Sequence, residues 1–213
     1  MTSNRPKLLD LFCGAGGAAM GYHRAGFDVI GVDIKPQPRY PFTFIQGDAL
    51  NPPVDIKVFD VIHASPPCQA WVTLAALHKQ AEYPDLIKPT RELLVDTNKP
   101  YIIENVPTAP LDNPIMLCGT MFNLRVVRHR IFESNPVIWF APATCCHWLK
   151  VVKLGRYPDK DKHFISVTGH FSGVKYAQEA MDIDWMGQKD LSQAIPPAYT
   201  EWIGRQLREV IHQ

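Results

Sequence analysis

Nowhere does the chain run apolar for anything near the ~20 residues that a membrane-spanning helix needs. The opening MTSNRPK passes into a strand-like run without the apolar core of a secretory signal. A cytoplasmic protein is therefore expected. Cysteine is scarce: five residues, an odd number, with no framework spacing and no Cys-x-x-Cys pair. That count argues against a disulfide-stapled secreted domain. It also leaves Cys145, Cys146 and His147 in CCH without the companion pair of a zinc motif, so these thiols are expected to be buried or incidental, with no metal bound. Internal repeats and low-complexity tracts are missing. Net charge is only +1, yet it is unevenly spread: residues 125–176 hold nine Lys/Arg against three Asp/Glu, leaving thirteen against eighteen elsewhere. Such a local excess suits a face turned to a polyanion, and equally a solvated basic flank.

What is present suffices for a core. Hydrophobic residues make up 46% of 213, a length that suits one domain of ordinary size with a small appendage. The first half repeats one pattern, a short apolar run followed by a loop opening on polar or glycine residues: KLLDLFCGAGG, FDVIGVDI, FTFIQGDA, FDVIHASPPC, YIIENV. These β-branched and aromatic runs lack polar alternation, as strands of a parallel sheet covered on both faces do. Residues 16–26, closed by Gly26, and 90–98 read as helices between them. The fold class expected is α/β, a doubly wound, mostly parallel Rossmann-like sheet, whose last strands are PIMLCGTMF and RIFES. Beyond Glu133 the rhythm stops. The expected organisation is a catalytic domain at 1–132, a small irregular lobe at 133–190, and a segment at 191–213. In that segment a loop precedes a terminal helix whose Ile203, Leu207 and Ile211 pack back on the first domain.

Ligands of an open parallel sheet bind beyond the carboxyl ends of its strands, and the unusual residues fall there. Gly14 permits a tight turn after the first strand, and the missing side chain at Gly16 lets a ligand approach the backbone. Asp33, nineteen residues beyond Gly14, is placed to accept hydrogen bonds from ribose hydroxyls. Asp48 ends the third strand, where it could accept from an adenine amino group. Together these read as a pocket for an adenosine-containing cofactor. Gly14, Gly16 and Ala19 also satisfy a dinucleotide pattern, so the loop alone leaves NAD and S-adenosylmethionine both open.

HASPPCQAW, residues 63–71, carries the decisive signal. Pro66 and Pro67 fix their own φ angles and bias the residue before each toward extended backbone, which aims Cys68 at the ligand edge. A helix expected to begin near Trp71 would favour the thiolate with its N-terminus. The nicotinamide reading predicts hydride chemistry and offers no explanation for SPPCQ. One strand on, YIIENV puts Glu104 at the same edge, where apolar neighbours raise a carboxyl pKa. In VVRHRIF, strand alternation would turn Arg128 and Arg130 to one face, suiting phosphate or a carbonyl oxygen, and His129 to the other.

DLFCGAGG, SPPCQ, ENV and the Arg-x-Arg of RHRIF, in that order, resemble the DNA cytosine-5 methyltransferase family, and QAIPPAYTEWIG resembles its final motif. The short form, with SGVKYAQEAMDIDWM, looks like compact versions carried by bacteriophages. The resemblance implies that Phe12, Gly14, Ala15, Gly16, Asp33, Ile34, Asp48, Ala49, Pro67 and Gln193 surround S-adenosyl-L-methionine. It makes Cys68 the nucleophile and Glu104 the proton partner of the base, with Arg128 and Arg130 positioning the base and the Cys68 loop. It further implies double-stranded DNA as the partner, a monomer, and the cytoplasm of a bacterial host. An RNA cytosine-5 methyltransferase and a catalytically silent cofactor- or DNA-binding protein are the alternatives. Two positions depart from the family pattern: Val126 stands where a glutamine is usual, and Ser192-Gln193-Ala194 replaces Gly-Asn-Ser. The loop VTGHFSG, with His170 and Phe171, is expected to contact DNA.

Overall fold

Residues 5–71, 84–138, 140–152, 156 and 159–211 are described by a computed structural model. Seven strands form one sheet: β1 (Lys7–Leu11), β2 (Asp28–Asp33), β3 (Thr43–Gln46), β4 (Val61–Ala64), β5 (Tyr101–Asn105), β6 (Ile115–Leu117) and β7 (Arg130–Asn135). Their order is β3-β2-β1-β4-β5-β7-β6. The first five are parallel, and β7 runs antiparallel between β5 and β6. Between β1 and β4 the order reverses, which opens a crevice at their carboxyl ends.

Alternation along each strand divides the core into two layers. Leu8, Val61 and Ile102 face α1 (Gly17–Arg24) and α5 (Pro197–Ile211), where Tyr22, Tyr199, Ile203 and Leu207 meet them. Leu9, Leu11, Ile62 and Ile103 face the opposite way, toward Ile87 and Leu94 of α2 (Ile87–Asp96). This covering on both faces explains why the strands read as unbroken apolar runs. Gly26 adopts φ +95° just past α1, the left-handed stop expected of it. Helix α1 lies so close to α5 that a Cβ at Gly21 would collide with the Pro197 carbonyl and the Thr200 hydroxyl. Thr200 Oγ1 donates to Ala18 O at 2.8 Å.

Residues beyond β7 are more ordered than the sequence suggested. Two short strands, β8 (Lys150–Val151) and β9 (His163–Phe164), pair in parallel, and α3 (Val174–Met181) and α4 (Gln188–Gln193) follow. Of the stretch from 191 to 196, expected as loop, residues 191–193 complete this α4. A third apolar cluster holds Ile165, Val167, Phe171, Tyr176 and Met181 against Val126, Ala15 and Leu191. Val126 is fully buried and bridges Ile165, so an apolar residue fits where the resembled family has an amide. Phe171 is buried in the same cluster, which corrects its expected place on a DNA-contacting loop; His170 is exposed. No helix among the described residues is long and apolar enough to cross a membrane.

Candidate active site

The first wall of the crevice is the turn after β1. Phe12, Gly14 and Gly16 all have positive φ, at 56°, 50° and 84°. A Cβ built on Gly14 meets nothing within 4 Å, whereas one on Gly16 runs into Pro41 at 2.7 Å and Tyr40 at 3.0 Å. The expectation is therefore corrected: the open approach is at Gly14, and Gly16 is required by its own packing and backbone. The loop is held from both sides. Asp33 accepts from Gly14 N at 3.0 Å and from Lys35 N at 2.9 Å, and Trp185 Nε1 donates to Ala15 O at 2.9 Å. Trp185 gave no sequence signal.

Ile34, next to Asp33, leaves 67% of its surface exposed, a flat apolar face beside two carboxylates. Asp48 is exposed and accepts from Leu50 N at 2.9 Å, while Ala49 behind it is buried. Helix α1 starts without a side-chain cap, so its first amides are free of a side-chain acceptor at the ligand edge. Open space at Gly14, two carboxylates for hydroxyl and amino groups, and an exposed aliphatic face together fit an adenosine-type cofactor. Pro67 is exposed on the neighbouring loop, and Gln193 is exposed at the end of α4.

The second wall is the loop after β4. Its start is tied by Ser65 N to Leu11 O at 3.1 Å, and its middle by Asn105 Nδ2 to Pro66 O at 3.0 Å. Asn105 is in turn fixed by Val106 N at 2.9 Å. Trp71 N donates to Cys68 O at 2.9 Å, closing a single 3-10 turn over Gln69–Trp71, and Thr108 Oγ1 donates to Trp71 O. The helix expected from Trp71 onward falls on residues 72–83, outside the described residues. Cys68 is half-buried. Burial pushes its thiol pKa up, Arg130 pulls it down, and Glu104 adds to the rise. The helix end expected to lower this pKa lies outside the described residues.

Glu104 lies 3.0 Å from Arg130 Nε. Burial raises its carboxyl pKa, and Arg130, a hydrogen bond from Ser65 and Arg128 oppose that rise. Behind Ser65 runs a buried chain in which Tyr22 OH lies 2.9 Å from His63 Nδ1, and His63 Nε2 lies 2.9 Å from Ser65 Oγ. Burial lowers the His63 pKa to about 3, so the ring is neutral. With the Ser65 proton directed at Glu104, His63 Nε2 must donate to Ser65 and Nδ1 must accept from Tyr22. Neither His63 nor Tyr22 was foreseen.

The arginines divide their work. Arg130 reaches Glu104 and also donates to His129 O at 2.7 Å. Arg128 is buried and donates through Nη1 to Val167 O at 2.5 Å and through Nη2 to Ser192 O at 3.0 Å. Desolvation lowers its pKa to about 9. β7 begins only at Arg130, so Arg128 lies on irregular backbone and bolts the third cluster and α4 to the site. Of the two partners expected for the arginines, phosphate or a carbonyl oxygen, Arg128 takes carbonyl oxygens, and it does so from outside the strand expected to align it with Arg130. Tyr199 OH fixes the same backbone by donating to Arg128 O at 2.6 Å.

Residues 6–109 match the family model of C-5 cytosine-specific DNA methylase. The matched span takes in the glycine turn, Asp33, Asp48, Cys68 and Glu104, and ends before the arginines. No curated protein sequence matches the chain. Among solved structures, one from an E. coli prophage, described as a DNA modification methyltransferase, superposes with a TM-score of 0.62 at 14% identity, covering 98% of this chain and 100% of its own. The S. pombe Dnmt2 methyltransferase superposes at 0.58 with 13% identity, covering 97% and 99%. At such identities the likeness is one of fold, and the fold is that of S-adenosylmethionine-dependent methyltransferases.

Proposed function

We propose, for a chain that carries a C-5 cytosine-specific DNA methylase domain over residues 6–109, that it methylates carbon 5 of cytosine in double-stranded DNA through a bond between Cys68 and carbon 6 of the base. The match over these residues and the shared fold support a methyltransferase with S-adenosyl-L-methionine as its methyl donor. Bound in the crevice, that cofactor supplies an electrophilic methyl group. Phe12, Gly14, Ala15, Asp33, Ile34, Asp48 and Ala49 would hold it from the β1–β3 side, with Gly16 shaping the turn and Pro67 and Gln193 at the rim.

The observation that carries this reading is the junction of Cys68, Glu104 and Arg130 at the end of β4 and β5, on a loop clamped by Asn105. Carbon 5 of cytosine is too weak a nucleophile to take a methyl group unaided. Once Cys68 has given up its proton to solvent, addition of the thiolate at carbon 6 gives carbon 5 enamine character, and the Glu104 proton at nitrogen 3 neutralises the charge that develops on the ring. Arg130 holds the Glu104 carboxyl, and Arg128 holds the backbone carbonyls of Val167 and Ser192. After methylation the carbon-5 proton leaves to solvent, the carbon–sulfur bond breaks to release thiolate, and nitrogen 3 returns its proton to Glu104. The target carbon is shielded in a stacked duplex, so the base must be flipped out at a cost of a few kcal/mol. The basic excess over residues 125–176 supports a grip on the phosphate backbone that offsets this. We place the protein as a monomer in a bacterial host cytoplasm.

Duplex DNA containing 5-fluorocytosine tests the proposal, because fluorine at carbon 5 cannot leave as a proton does and the adduct is trapped. With cofactor, the wild-type chain is expected to form a complex that survives denaturation, and Cys68→Ala none. Undiminished methylation by Cys68→Ala overturns the mechanism. Methyl uptake by tRNA and none by duplex DNA overturns the substrate.

A further inference from the structure

We propose that Cys118, His129, Cys145 and His147 bind a zinc ion that locks the arginine-bearing strand of the site to the lobe beyond it. The four residues come from three separate stretches: the end of β6, the residue before β7, and the irregular segment after it. Their ligand atoms nevertheless all lie within 4.8 Å of one another. Cys145 Sγ stands 3.2 Å from His147 Nε2 and 3.4 Å from His129 Nε2, and Cys118 Sγ stands 3.5 Å from His147 Nε2. Zinc bonds of about 2.3 Å to sulfur and 2.0–2.1 Å to nitrogen give a tetrahedron whose sulfur–nitrogen edges are about 3.5 Å. The three contacts match that edge.

The chemistry of the set narrows the ion. Two thiolates and two imidazoles form the S2N2 set that favours zinc over the hard, oxygen-seeking cations. Both histidines turn Nε2 inward, and their rings sit 5.1 Å apart at 42°, unstacked. Thr120 adds a supporting layer: its hydroxyl lies 3.5 Å from Cys118 Sγ and accepts from Cys146 N at 3.4 Å. A hydroxyl so placed stabilises a ligating thiolate and orients the segment that carries Cys145. Cys146 is exposed and stands outside the set.

The site also has a purpose visible in the chain. His129 sits between Arg128 and Arg130, so an ion on His129 fixes the backbone from which both arginines reach. It ties that backbone to residues 145–147, which precede β8. The inference stands apart from the methylation reading, since metal content does not depend on which nucleic acid is modified.

Zinc in the purified full chain, measured by plasma mass spectrometry after gel filtration, is expected to be equimolar with protein. Cobalt added to the stripped chain is expected to give the intense visible bands and thiolate charge-transfer of tetrahedral cobalt. Replacing Cys145→Ser together with His147→Gln should reduce bound zinc at least tenfold. If those replacements prevent folding, the wild-type cobalt spectrum still decides the matter. A folded chain that takes up no zinc in the presence of reductant, or whose zinc is unchanged in the double variant, overturns the proposal. So does a cobalt spectrum of six-coordinate, oxygen-ligated form.

Discussion

Arg130 Nε and Glu104 Oε1 stand 3.0 Å apart in a site where burial raises the carboxyl pKa and the arginine resists the rise. Burial keeps a proton available at Glu104 to higher pH than an exposed glutamate would, and Arg130 limits that rise. On the proposed mechanism, Glu104→Gln still donates a hydrogen bond to nitrogen 3 but delivers no proton. Single-turnover methylation should slow about 10²–10³-fold. The wild-type fall in rate as rising pH deprotonates Glu104 should vanish in the variant.

The same arginine acts on the thiol. Because Arg130 lowers the Cys68 pKa against burial, Arg130→Gln should move it further up. At neutral pH the thiolate fraction then drops, and iodoacetamide labelling of Cys68 slows. Peptide mass spectrometry checks this site by site, with exposed Cys146 as the internal control.

Gly14 offers a test of the cofactor wall. Alanine there must adopt φ near +50°, which costs about 1–2 kcal/mol, and its methyl enters the space open above the turn. Calorimetry should show S-adenosylmethionine binding weakened at least tenfold, and urea unfolding should show only the small backbone cost. Unchanged affinity would move the cofactor away from this turn.

His63 predicts a pH dependence of stability. Its folded pKa is lowered to about 3 from the ordinary 6.5, so between those values the unfolded chain binds the proton and the folded one does not. This contribution is fully present above pH 6.5 and is lost as pH falls, by about 1.4 kcal/mol per unit. Buried Asp10 and Glu104, with raised pKa values, push the opposite way in the carboxylate range. A comparison isolates the histidine: the stability advantage of wild type over His63→Gln should narrow steadily from pH 6.5 to 5, measured by urea titration.

Much of the scaffold could be read from local chemistry. Apolar runs marked the five parallel strands, PIMLCGTMF and RIFES read as the last two, Gly26 marked the end of α1, and strand ends placed Cys68 and Glu104 on one edge because parallel topology must. What escaped depended on distant pairing. Nothing near Arg128 announces that its nitrogens go to Val167 and Ser192, and nothing near His63 points to Tyr22. Gly14 and Gly16 are two residues apart and alike in φ, yet only their tertiary surroundings distinguish an open face from a filled one. Cys145 and His147 are close in sequence, but Cys118 and His129 are distant from them, so the convergence of all four becomes visible only when β6, β7 and the following segment fold together.

The hydroxyl of Tyr199 on the Arg128 carbonyl sets an order of events during synthesis. A nascent chain that has left the ribosome up to residue 190 already possesses the sulfur, the acid and both guanidinium groups. It still lacks α5, the carbonyl of Ser192 that Arg128 requires, and the apolar cover over α1. Arg128 therefore acquires its last backbone partners only as translation reaches α4 and the final helix described.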